Sequence, residues 1–164
     1  SEVLPTDFEG MVREAEALAK LHPQSVVQIP MILDGVKSLK YCSNKGIRTN
    51  CTLIFSGGQA LIAAKAGATY VSPFIGRLDD ISTDGLNLIS EIANVYDNYA
   101  LNTQILAAAV RHTMHIMDGA KVGADVMTGP LSSIKGLLKQ PLTDMGLEKF
   151  VSDYKKGNEL VSKK

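Results

Sequence analysis

The run Arg48-TNCTLIFSGGQALIAAKAGATYVSP-Phe74 decides the fold. Arg48 to Phe55 is short and apolar on both faces, which predicts a strand covered from two sides. Ser56 to Ala66 reads as a helix, and Gly67 stands where a left-handed residue closes one. Ala68 to Phe74 predicts a second strand of the same kind. Strand, helix and strand joined this closely imply parallel strands with a helical crossover.

The same alternation extends in both directions. Upstream, Phe8, Met11, Val12, Ala15, Leu18 and Ala19 recur at three- and four-residue steps, so Asp7 to Leu21 predicts an amphipathic helix with Asp7 as its N-cap. His22-Pro23 stops it, because the residue before a proline is pushed out of the helical region. Ser25 to Met31 predicts a strand, and Asp34 to Lys45 a helix followed by Gly46. Downstream, Asp84 to Tyr99 predicts a helix with Leu86, Leu88, Ile89, Ile92 and Val95 as its stripe. Gln104 to Val110 predicts a strand closed by Arg111, Met114 to Val122 a helix closed by Gly123, and Asp125 to Gly129 a last short strand. Two helical pieces follow around Leu131 to Lys139 and Leu142 to Lys156, and residues 157–164 read as a frayed tail. Residues 1–164 read as a single domain with no linker.

Two architectures suit a covered parallel sheet. A doubly wound open sheet of five strands fits about 150 residues. A closed barrel of eight βα units typically needs about 250. With 164 residues, arithmetic alone favours the open sheet.

Composition narrows the functional classes. Lys and Arg number 17 against 17 Asp and Glu, so the chain lacks the broad basic field of a general nucleic-acid binder. The two cysteines, Cys42 and Cys51, make no disulfide framework or zinc-type pair, which implies a reduced, cytoplasmic setting. Ser1 to Asp7 carries no secretory pattern, and the apolar runs are too short and interrupted to span a membrane.

Chemistry in such folds belongs at the carboxyl ends of the strands. The polar residues there are Gln28, Asn50, Thr52 and Ser72, with Arg77 and Arg111 just beyond the third and fourth full strands. Arginine's planar fork suits phosphate, so Arg77 and Arg111 suggest an anion site for a phosphorylated small molecule. The alternative is that Arg77 pairs with Asp79 or Asp80 and Arg111 with another carboxylate. His112 and His115, three apart, have a spacing seen in metal sites, but no third ligand is evident and packing roles fit better. Asn50-Cys51-Thr52 matches a glycosylation acceptor, yet it falls inside a buried strand. Ser56-Gly57-Gly58-Gln59 offers amides at a helix start, or simply a turn that needs small residues. No Walker loop, dinucleotide fingerprint or GxSxG elbow occurs.

The runs Val26-VQIP-Met31, Thr49-NCTLIF-Ser56 and Ala63-AKAGATYVSPFIGRLD-Asp80, with Ala107-AAVR-His112 and Pro141-LT-Asp144, resemble the small bacterial transaldolases, the subfamily that includes fructose-6-phosphate aldolase. The resemblance covers essentially the whole chain. It implies an α/β fold of (β/α)8 TIM-barrel lineage, truncated to about six βα units, with Glu2 on the third barrel strand and the first two units outside this sequence. It implies transfer of a dihydroxyacetone unit between sugar phosphates of the fructose 6-phosphate and erythrose 4-phosphate class in the pentose phosphate pathway. No cofactor and no metal are implied, and neither nucleic acid nor membrane is an implied partner. In the family a barrel lysine forms a Schiff base that absorbs the electrons of the breaking carbon–carbon bond. By the same resemblance Glu2 and Thr52 position the catalytic water, Asn50 orients substrate, and Ser72, Arg77 and Arg111 hold its phosphate.

The departures matter as much. Gln28 stands at the position of the Schiff-base lysine, and a carboxamide is not an amine nucleophile. The lysines all fall in predicted helices, helix ends or the tail, never in a strand. The proton-handling aspartate of the family belongs to the first strand, outside this sequence. Ile32 and Ala109 replace a usual threonine and serine. The chain is therefore expected to be a catalytically defective transaldolase relative. Its alternatives are a non-catalytic sugar-phosphate binder, a structural or engineered barrel fragment, or a fructose-6-phosphate aldolase-like enzyme. Open sheet edges and the C-terminal helix imply self-association into a homo-oligomer.

Overall fold

The sequence punctuates its first helix with a charge. In α1 (Phe8–Ala19), the Asp7 carboxylate accepts a hydrogen bond from the Gly10 amide at 2.8 Å, satisfying a free N–H of the first turn. The computed structural model describes residues 1–161. After α1 come β1 (Val27–Pro30), α2 (Leu33–Asn44), β2 (Thr49–Ile54), α3 (Gly57–Ala66), β3 (Tyr70–Pro73), α4 (Ile75–Asp79) and α5 (Gly85–Asn98). They are followed by β4 (Gln104–Ala107), α6 (Thr113–Val122), β5 (Val126–Met127), α7 (Leu131–Gly136) and α8 (Pro141–Val161). Gly67 and Gly123 end α3 and α6 at φ +97° and +111°, in the left-handed region the sequence requires there.

The sheet runs in the order β1-β2-β3-β4-β5, with every neighbouring pair parallel. A doubly wound sheet reverses direction at a switch point and carries helices on both faces. Here each strand lies beside its successor. The helices also pack in sequence, α1 on α2, α2 on α3, α3 on α5 and α5 on α6, as one layer. The doubly wound expectation drawn from length is therefore wrong, because length says nothing about strand order. The architecture is that of a (β/α)8 barrel lineage. The segment at Glu2 adds a sixth parallel partner, bridging to Gln28, with Gln28 N donating to Ser1 O and Val3 N donating to Gln28 O.

Three further expectations are corrected. α4 was not anticipated, since five residues are too few to show a helical period. β4 ends at Ala107 rather than Val110: Ala109 takes φ +56°, which breaks the extended run, so Arg111 follows in a loop. The tail expected to fray from residue 157 is helical to Val161 as the end of α8, while residues 162–164 lie outside the described residues.

Alternation along the strands creates two faces. Val27, Ile29, Cys51, Val71, Ile105 and Ala107 are buried with Met11, Leu39, Ala63, Ile89 and Ile92 of the helices, forming the core. Burial pushes the thiol of Cys51 up to about 12 and that of Cys42 to about 11, the latter helped by Glu16, so both are inert at neutral pH. Gly35 lets α2 press onto β1, since a Cβ there would collide with the Pro30 carbonyl oxygen. α8 leaves Leu142, Met145, Leu147, Phe150 and Tyr154 exposed. No helix among the described residues is long and apolar enough to cross a membrane.

Candidate functional site

The second face of the sheet carries the polar residues. Gln28, Asn50, Tyr70, Leu106 and Val126, one from each strand, line an open cavity of about 260 Å³ together with Val26. Register explains the grouping. Gln28 pairs with Asn50 and Asn50 with Tyr70, and residues at one register level point to one face. Glu2, in register with Gln28, belongs to the same face at the neighbouring strand.

Asn50 and Ser72 are joined: the Ser72 hydroxyl donates to the Asn50 side-chain oxygen at 2.8 Å, with both residues buried. Asn50 therefore keeps its amide N–H groups for another acceptor. Its burial inside β2 also removes the glycosylation reading. Thr52 is buried, and its hydroxyl has no hydrogen-bond partner among the described residues. An unpaired buried hydroxyl is costly enough to need a reason. Just beyond it Leu53 takes φ +61°, and the β2–β3 register shifts between Cys51 and Ile54. This irregularity falls at the carboxyl end of β2.

Gln28 carries a side-chain amide on this face. No lysine among the described residues lies on a strand. Amine chemistry in the cavity therefore has no resident nucleophile on the sheet.

The two arginines lie at the carboxyl end of the sheet. Arg77, in α4, stacks its guanidinium 4.8 Å from the Phe74 ring centre and has no ion-pair partner among the described residues. The expected alternative of a pairing with Asp79 or Asp80 does not hold for it. Arg111 does pair, with Asp80, both side chains being about half exposed. The Arg111 side chain also packs over Gly76, where a Cβ would collide with the Ala109 carbonyl oxygen and press on the Arg111 Nε. α4 thus supplies Arg77 directly and a seat for Arg111.

The remaining sequence candidates resolve into structural roles. His112 caps α6, its Nδ1 accepting from His115 N at 3.3 Å, and His115 is buried with both ring nitrogens engaged. Among the described residues no group of three His, Cys, Asp or Glu is placed to hold a metal. Ser56 caps α3 through Gln59 N at 3.3 Å, while Gln59 Oε1 reaches back to Phe55 N at 2.8 Å. These reciprocal bonds engage the Gln59 and Phe55 amides within the turn itself, which favours the turn reading. Tyr70 was missed; its place two residues before Ser72 on one strand was the available signal.

Comparison with known proteins places these observations. The family model described as transaldolase/fructose-6-phosphate aldolase matches residues 1–162. A probable transaldolase of Flavobacterium psychrophilum is 68% identical over 158 residues, 96% of this chain and 72% of that protein. Another, of Phocaeicola vulgatus, is 63% identical over the same shares. Among solved structures, a GMP reductase from Trypanosoma brucei aligns with a TM-score of 0.57 at 17% identity, over 80% of this chain and 31% of that one. At that identity the likeness concerns the fold alone.

Proposed function

This chain belongs to the transaldolase/fructose-6-phosphate aldolase family, and on that premise we propose that it holds sugar phosphates without forming the covalent imine of that family's reaction. The family acts on sugar phosphates by transferring a dihydroxyacetone unit. The single observation that carries the proposal is Gln28 on the cavity wall beside Asn50. By the resemblance of the run Val26-VQIP-Met31 to the family, Gln28 stands at the position of the Schiff-base lysine. A carboxamide nitrogen shares its lone pair with the carbonyl, so it neither attacks a ketone nor yields a protonated imine.

The other candidate residues suit binding. Arg77 and Arg111 supply the phosphate forks at the carboxyl end, while the one hydroxyl proton of Ser72 is committed to Asn50 and leaves its oxygen as an acceptor only. Asn50, fixed by Ser72, offers its amide to a sugar hydroxyl. The unpaired Thr52 hydroxyl and Glu2 are left to handle water or a substrate hydroxyl. Gln28 is itself a hydrogen-bond donor and acceptor toward a ketose carbonyl. The exposed apolar face of α8 is the surface this reading reserves for a second copy of the chain.

Titration of the unmodified protein tests the binding half. Fructose 6-phosphate should bind saturably, inorganic phosphate should compete with it, and fructose without phosphate should bind far more weakly. Equal binding of fructose and its phosphate, or no binding of either, overturns the assignment.

A further inference from the structure

We propose that His115, held by Asp79, is a positioning residue for the phosphate site: its ring fixes the backbone of Arg111 without touching the ligand. The proposal rests on the reading of Arg111 given above. Arg111 lies in a loop that has already left β4. Its main-chain N–H donates to His115 Nδ1 at 3.3 Å, and its carbonyl accepts from the Ser133 hydroxyl at 3.2 Å. Two residues earlier Ala109 adopts φ +56°, a conformation that a non-glycine residue keeps only when its surroundings impose it. The main chain of Arg111 is therefore held by two side chains, not by a strand ladder.

The His115 end is firmly built. The ring is buried, 7% exposed, and its Nε2 lies 2.9 Å from Asp79 Oδ2. The other carboxylate oxygen of Asp79 accepts from Gly85 N at 3.0 Å, at the start of α5. Stacking of the His112 ring on His115, 3.7 Å between centres, closes another side. The bonds also fix the tautomer. Nδ1 accepts from Arg111 N–H, so the ring proton sits on Nε2 and is donated to Asp79. α4, which carries Arg77, thereby also orients Arg111 through its last residue, Asp79.

Asp79→Asn is the informative substitution. The carboxylate accepts twice, from Gly85 N–H and from His115 Nε2–H. An amide has only one oxygen, so with that oxygen on Gly85 its NH₂ faces Nε2. The imidazole then shifts its proton to Nδ1, donor against the Arg111 N–H. Three readouts decide the matter. Ring ¹⁵N shifts should report the Nε2–H tautomer in the unmodified protein and Nδ1–H in Asp79→Asn. Hydrogen exchange of the Arg111 amide should accelerate in that variant. The dissociation constant for inorganic phosphate should rise roughly tenfold, the loss of about one hydrogen bond's orientation. His115→Asn, whose side-chain oxygen can replace Nδ1 as acceptor, should keep phosphate affinity within about threefold, whereas His115→Gln should not. An Nδ1–H ring in the unmodified protein, or unchanged Arg111 exchange and phosphate affinity in Asp79→Asn, overturns the proposal. If the unmodified protein fails to bind phosphate, the reading of the site falls, while tautomer and amide exchange still decide the clamp.

Discussion

Gly35→Ala should destabilise the protein by about 3 kcal/mol or more, at the upper end of the cost of overpacking a core. The helix itself would welcome the change, since alanine improves helix propensity over glycine by about 1 kcal/mol. The obstacle is tertiary. The new Cβ would collide with the carbonyl oxygen of Pro30, which is backbone and cannot swing aside as a side chain can. α2 or the end of β1 must move, and Gln28 lies two residues from that point. For a chain of this length, thermal unfolding should fall by roughly 6–12 °C. Gly58→Ala is the matched control: it is also in a helix, it is exposed, and nothing stands within 4 Å of its Cβ. It should raise stability slightly. Equal effects at the two positions would show that the α2–β1 contact is looser than described.

Arg111→Ala should weaken binding of inorganic phosphate by about 10–100-fold, the worth of a charge-assisted hydrogen bond. Two effects act in the same direction. The phosphate loses a guanidinium, and Asp80 loses its partner, leaving a bare carboxylate near the anion. Thermal stability should hardly change, because a half-exposed ion pair contributes at most about 1 kcal/mol. Asp80→Asn separates the two effects. It removes the carboxylate that competes for the guanidinium, so phosphate should bind at least as tightly as before. Calorimetric titration of the three proteins checks the order, and an Arg111→Ala protein that binds normally would remove Arg111 from the site.

Much of the fold was legible locally. The run from Arg48 to Phe74 carries its own punctuation: Ser56 caps α3 and Gly67 ends it, and both signals act within a few residues of the places they mark. Asp7, Asp84 and Gly123 behave in the same way. Strand order was not legible by counting. The number of residues bounds how many strands exist, whereas order depends on which face each crossover helix takes, and residue patterns alone do not encode that. Residue-type matches to the family carried the barrel instead. At the site, Gln28, Asn50 and Tyr70 share a face because of register, which period-two alternation predicts once the strands are placed. The Asp79–His115–Arg111 chain was hidden for the opposite reason. Its members come from α4, α6 and the loop after β4, and a sequence spacing of three between His112 and His115 speaks of a helix face, not of a carboxylate thirty-odd residues upstream.

The central claim is that this barrel face retains its ligand contacts but has no amine where the family's imine forms. Borohydride reduction in the presence of dihydroxyacetone or fructose 6-phosphate, followed by intact mass, tests it most directly. The account predicts that the 17.6 kDa chain keeps its unmodified mass. A stable reduced adduct on any lysine at stoichiometric yield would contradict it.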